Sequence, residues 1–283
     1  MKKWIIPVML IFGMVLTGCS SNETKADKGK TEIKVGIRSS ELRTWEFLQE
    51  RGKESGLDIE LVNFSSAVDP NQALAAGDID VNAYQHVAHL DFYNKSNKTE
   101  LVPIGATIIA PLGLYSNKYQ SVDDIPDGAQ IAVPSDQSNW GRALLLLQEA
   151  ELLKVVDDFD GNGGADKIKE NPKKLEIVPV DAANTPRVME DTAGSVINNG
   201  VAVEAGLSLK DALIHESITA KPYINAIVAR AEDQDNELFK KLVALYQSEE
   251  TAAFIEETYK GNYIPTFISL EELATYKETY TNN

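Results

Sequence analysis

Residues 32–61 read EIKVGIRSSELRTWEFLQERGKESGLDIEL, and three periodicities follow one another along them. Ile33, Val35 and Ile37 alternate with polar neighbours, the period-two pattern of a strand. Leu42, Trp45, Phe47 and Leu48 then recur among charges at helical spacing, over 41–53 and stopping before Gly56. Leu57, Ile59 and Leu61 alternate again. A strand, a helix and a strand in so short a run make a βαβ unit, which places two parallel strands in one sheet under a crossover helix. The same alternation continues with a helix over 70–76, a strand over 78–82 and a helix over 84–94. Further strands are expected at 130–133, 175–180 and 194–197, with helices between them. The fold class is therefore α/β, and in such sheets ligands sit beyond the carboxyl ends of the strands.

Two apolar stretches, 108–115 (IIAPLGLY) and 222–228 (PYINAIV), bracket a middle segment of ordinary domain size. A chain that leaves one lobe, builds a second and returns has two lobes. The expected division is 31–112 with 227–283 for the first and 113–226 for the second, each a mixed sheet flanked by helices. Such a pair closes like a hinge on a ligand in the cleft.

The N-terminus sets the compartment. Lys2 and Lys3 precede an apolar run from Trp4 to Leu16, and Leu16-Thr17-Gly18-Cys19 follows. A basic start, an apolar core too short to span a membrane and small residues at the cut describe a signal peptide over 1–18. Ending on Leu-Thr-Gly-Cys, it makes Cys19 the expected lipidated first residue of the mature chain. Residues 19–30 are polar and small and read as a flexible tether. The expected place is the extracytoplasmic face of the cell membrane, held by the lipid. Cys19 is the only cysteine, which excludes an intramolecular disulfide and a cysteine-based zinc cluster. The formal net charge of −16 grows more negative once Lys2 and Lys3 are removed, and so acidic a chain repels nucleic acid and anionic membrane.

Two motifs raise the question of metal. In NAYQHVAHL, residues 82–90, His86 and His89 would share a face if the segment is helical. That spacing suits a zinc site, while Tyr84 and Gln85 beside it could equally line an organic pocket. Asp158-Phe159-Asp160-Gly161-Asn162-Gly163 fits the first half of a calcium-binding EF-hand loop, but its twelfth position is Lys169 rather than glutamate. No nucleophile–base pair, phosphate loop or paired acid stands at motif spacing, so nothing points to an enzyme.

Several blocks together carry a resemblance. Asn71-Gln72-Ala73-Leu74-Ala75-Ala76-Gly77-Asp78-Ile79-Asp80-Val81-Asn82 with Gln85-His86, Pro111 to Ser116, Asn139-Trp140-Gly141-Arg142-Ala143-Leu144, Glu170 to Leu175, and Val201 to Leu207 occur in order. They resemble the methionine-binding lipoproteins of the MetQ/NlpA group over essentially the whole mature chain. The resemblance implies the two-lobed periplasmic-binding-protein fold and a receptor that hands methionine, a related amino acid or a short peptide to an ABC permease and its ATPase. It needs no cofactor. The alternative is a lipoprotein that recruits zinc through His86 and His89.

The resemblance also implies site residues. Arg142 matches the arginine that binds the ligand carboxylate. Ser138 or Asn139 could cap the helix it begins, so that N–H groups and guanidinium face one anion. Asn139, Asn198 and Asn225 supply amides that both donate and accept, as suits a zwitterion. Tyr84 and His86 resemble the aromatic and the histidine that line the methionine site, with His89 where the group has tyrosine. Arg38 to Arg43 replace a loop containing Pro and His, and Ala67 and Ala83 replace aromatics. Trp45 and Trp140 are expected to restore the lost bulk. The backbone anchors are kept, and the side-chain pocket is rebuilt.

Overall fold

The computed structural model describes residues 32–65 and 68–276. The signal peptide, Cys19, the tether and Ala67 lie outside the described residues. The opening βαβ unit forms as its periodicities require. Strand β1 (Glu32–Ile37) pairs parallel with β2 (Asp58–Asn63), setting Ile33 beside Ile59 and Val35 beside Leu61. Helix α1 (Leu42–Glu54) crosses between them and buries Trp45 and Leu48 completely. Helix α2 (Pro70–Ala76) starts with Pro70 in its first turn and Asp69 accepting from the Asn71 N–H, and stops at Gly77, whose φ of 82° suits glycine. Strand β3 (Val81–His86) lies parallel to β1, followed by α3 (Val87–Asn97) and β4 (Leu101–Ile109).

The chain then builds a second sheet. Its elements are β5 (Gly113–Tyr115), β6 (Gln130–Pro134), α4 (Gln137–Glu149), β7 (Lys154–Val155), β8 (Ile168–Glu170), β9 (Glu176–Val180), α5 (Thr185–Val188), β10 (Gly194–Ile197), α6 (Asn199–Glu204) and β11 (Ile214–His215). The strand order is β11-β5-β10-β6-β9, with β9, β6 and β10 parallel and β5 antiparallel to both its neighbours. Strands β7 and β8 form a separate two-stranded pair.

The return is made by β12 (Ile224–Arg230), which inserts antiparallel between β3 and β4, and by β13 (Ile264–Pro265) at the edge beside β4. The first sheet therefore runs β13-β4-β12-β3-β1-β2. Helices α7 (Glu237–Tyr246) and α8 (Glu249–Tyr259) pack on α1, and α9 (Leu270–Ala274) packs on β4. Both sheets are mixed and helix-flanked, and each lobe has its own apolar core.

Three expectations change. The expected boundary at 226/227 falls inside β12, which is bonded to the first sheet from Ile224 onward. Residues 84–86 extend strand β3 rather than opening a helix, so His86 and His89 do not share a helix face. Alternation along β3 then turns Ala83 into the first lobe's core with Val81 and Ile108, away from any ligand cleft. The half-motif at 158–163 has a packing role. At Gly141 of α4 an added Cβ would strike the Gly161 carbonyl, so glycine lets this loop lie directly on the helix. Lys169, at the twelfth position, pairs with Asp157 at 2.7 Å.

Candidate ligand-binding site

Between the two sheets lies a cavity of about 510 Å³, within the size range of small-molecule sites. The first lobe lines it with Arg38, Glu41, Phe64, Asp69, Tyr84, His86, His89, Asn225 and Tyr263, among others. The second contributes Asp136, Asn139, Arg142, Asp181, Asn198 and Glu204, among others. All seven residues expected from the sequence (Tyr84, His86, His89, Asn139, Arg142, Asn198 and Asn225) meet there, although they come from β3, α3, α4, β12 and the turn before α6.

His86 ends β3 and caps α3, its Nδ1 accepting from the His89 N–H at 3.1 Å. Its Nε2 reaches across the cleft to Asn139 Oδ1 at 3.2 Å. That same oxygen accepts from Asn198 Nδ2 at 2.9 Å, while Asn198 Oδ1 is buried with no protein partner. A buried amide oxygen without a donor costs roughly 1–3 kcal/mol, which a ligand N–H would recover. Burial, then the nearby Arg142 and His89, holds His86 well below the ordinary histidine range, so its ring is neutral at pH 7. His89 Nδ1 bonds Ser138 Oγ at 3.0 Å and lies 3.8 Å from Asp136. Both rings are thus engaged by protein groups. Among the described residues no three His, Cys, Asp or Glu side chains are grouped to hold a metal ion.

The cap of α4 differs from expectation. The helix starts at Gln137, and Asp136, not Ser138 or Asn139, is its N-cap. The Asp136 carboxylate accepts from the Asn139 backbone N–H at 3.0 Å, from the Asn139 amide and from the Ser138 hydroxyl. Burial works against its ionised form, but hydrogen bonds from His89 and Asn139 win and hold the carboxyl well below the usual range. The helix start is therefore already occupied by an anion of the protein itself. Arg142 sits one turn further along.

Arg142 is buried and held. Its Nε and Nη2 bond the two Glu216 oxygens at 2.7 and 2.6 Å, and Nη2 also donates to the Ala110 carbonyl at 3.0 Å. Its guanidinium carbon lies 4.2 Å from the centre of the Tyr223 ring. Arg142 thus presents a fork whose orientation Glu216 fixes. A second cation, Arg38, donates to the Phe64 and Ser65 carbonyls and covers the Tyr84 ring at 5.2 Å. The Tyr84 hydroxyl donates to Asp69 at 2.7 Å.

Neither Trp45 nor Trp140 lines the cavity. Trp45 packs on Tyr246 with ring centres 5.4 Å apart, and Trp140 lies against Gly164. Aromatic bulk comes instead from Phe64, Tyr84 and Tyr263. Sequence reasoning missed Glu41, Phe64, Asp136, Glu216 and Tyr263. Asp136 carried a readable signal, an aspartate just before a helical run. Glu216 carried none, because its role exists only through a partner 74 residues away.

Comparison with known proteins accords with this geometry. Residues 33–267 match the NlpA lipoprotein family. The chain is 36% identical to lipoprotein YhcJ of Bacillus subtilis strain 168 over 285 residues, 99% of both chains. It is 41% identical to the D-methionine-binding lipoprotein MetQ of Salmonella typhi over 260 residues, 90% of this chain and 94% of that one. The structure of a nutrient-binding protein from Burkholderia cenocepacia bound to methionine aligns with a TM-score of 0.80 at 42% identity, covering 83% of this chain and all of the other. The architecture is the two-lobed fold of these periplasmic binding proteins, and the family binds solutes rather than catalysing reactions. The chain belongs to the NlpA lipoprotein family.

Proposed function

We propose that this chain is the solute-binding lipoprotein of an ABC importer, taking methionine, a related amino acid or a short methionine peptide. The observation that carries the reading is one cavity, lined from both lobes, that holds a fixed guanidinium, a neutral histidine and an unpartnered amide oxygen. Those groups suit a zwitterion: Arg142 for the carboxylate, Asn198, Asn225 and Asn139 for amide contacts, and Tyr84, His86 and His89 along the side chain. MetQ relatives and the methionine-bound neighbour support the same ligand class. Lipid on Cys19 would hold the receptor at the extracytoplasmic face beside its permease. Among the described residues no helix is long and apolar enough to cross a membrane.

Titration calorimetry tests the reading on protein stripped of ligand by unfolding and refolding. L-methionine, D-methionine and glycyl-L-methionine form the panel, with zinc as the control. Saturable one-to-one heat with at least one methionine compound is expected. Heat from zinc alone would replace this reading with metal recruitment.

A further inference from the structure

Glu41 occupies the position before α1 where a carboxylate ordinarily caps a helix, yet its side chain makes no capping hydrogen bond. It turns instead to the cavity, lines it, and is only 4% exposed. The Asn225 amide and the Trp45 indole N–H face the carboxyl and favour its charged form, the indole without reaching strict hydrogen-bond geometry. Both are neutral. Around them stand Tyr246 of α7, Tyr259 of α8 and Tyr263 beyond it. Burial, with the charge of Glu41 adding to it, pushes all three phenols above their ordinary range. From the other lobe, α6 packs over the turn that carries Glu41, with an added Cβ on Gly200 falling 2.9 Å from Ser40 Oγ. Among the described residues, no cation is among the groups that act on this carboxyl.

A carboxyl placed in a ligand cavity without a counter-ion is costly to ionise there, unless the ligand brings the positive charge. We propose that Glu41 receives the ammonium group of the ligand and so selects amino acids and peptides with a free amino terminus. This assignment rests on the amino-acid reading above. Burial raises the Glu41 carboxyl to about 8, so it is mostly protonated at pH 7 in the empty protein. An arriving ammonium favours the carboxylate, and the displaced proton passes to the buffer. Ligand binding then releases protons in a manner set by this one residue.

The test is calorimetry of L-methionine and glycyl-L-methionine in buffers of different ionisation enthalpy, with N-acetyl-L-methionine as the blocked probe. Wild-type protein should release close to one proton per ligand with either free-amino probe at about pH 6.5, and about half a proton with L-methionine at pH 8, where the dipeptide amine takes up a compensating proton. Glu41→Gln mimics the neutral acid, so it should keep the wild-type melting temperature near pH 4, where Glu41 is protonated in the folded and unfolded chain alike. It should abolish proton release and weaken both free-amino probes at least about tenfold, leaving the blocked probe unaffected. Tight wild-type binding without proton exchange, or a Glu41→Gln variant that binds both free-amino probes as well as wild type, would overturn the assignment alone. Wild-type silence to all three probes would overturn the amino-acid reading and this assignment with it.

Discussion

Arg142 and Glu216 meet as a two-pronged ion pair inside the second lobe, and Glu216 also accepts the Leu112 backbone N–H at 2.7 Å. With the bond from Arg142 to the Ala110 carbonyl, the pair fastens α4 to the segment by which the chain enters that lobe. The guanidinium at the cavity is thereby held to the crossing between the two sheets.

Removing one partner leaves a buried charge uncompensated. Glu216→Ala should destabilise the fold by about 3–5 kcal/mol, read as a lower urea midpoint at unchanged slope. Arg142→Ala should do the same and also lose ligand affinity. Arg142→Lys should recover only part of either, because an ammonium cannot reproduce the planar fork. A Glu216→Ala midpoint equal to wild type would mean the pair contributes nothing to stability.

Glu41 gives stability a pH dependence of definite sign. Its carboxyl is raised to about 8 in the fold against 4.5 unfolded. Between those values the folded chain holds a proton that the unfolded chain has lost, so stability falls as pH rises across that window. Glutamine does not titrate. Glu41→Gln should therefore match wild type near pH 4 and exceed it by a few kcal/mol near pH 8.5, in urea melts of ligand-free protein. An unchanged difference at the two pH values would show that Glu41 titrates normally.

Gly200 separates closure from folding. An added Cβ lies 2.9 Å from Ser40 Oγ and 3.1 Å from the Tyr263 hydroxyl, both in the other lobe. Gly200→Ala should leave the unfolding free energy from urea melts within about 0.5 kcal/mol, since alanine favours the helix it joins. Ligand affinity should fall about tenfold, because the lobes must part slightly to admit the methyl group. Loss of both together would mean the contact belongs to folding.

Anchoring is testable apart from binding. Cys19→Ala should leave unprocessed precursor or release the protein from the membrane fraction, with ligand affinity unchanged. Normal processing and normal membrane association of that variant would remove the lipid from the account.

The lobes were legible because hydrophobic period reports local structure, and β1, α1 and β2 depend mostly on their own residues and the face they bury. The seven cavity residues were legible only through blocks resembling a known family. Spacing alone misread His86, because a strand that runs directly into a helix leaves no polar turn to mark the change. Ala83 is placed at the ligand by the resemblance alone, which does not show that its side chain faces the core beside Val81 and Ile108. Pairs such as Arg142 with Glu216, and the approach of Gly200 to Ser40, arise only when distant segments fold together. No local pattern announces them.

The central claim is that the cavity is a receptor site for a small zwitterion. Native mass spectrometry of the protein purified without unfolding, followed by identification of whatever it releases, tests it most directly. The expected result is one equivalent of methionine, a related amino acid or a short methionine peptide, lost in the Arg142→Ala variant. A mass increment matching zinc, or an organic ligand with neither carboxylate nor amine, would contradict it.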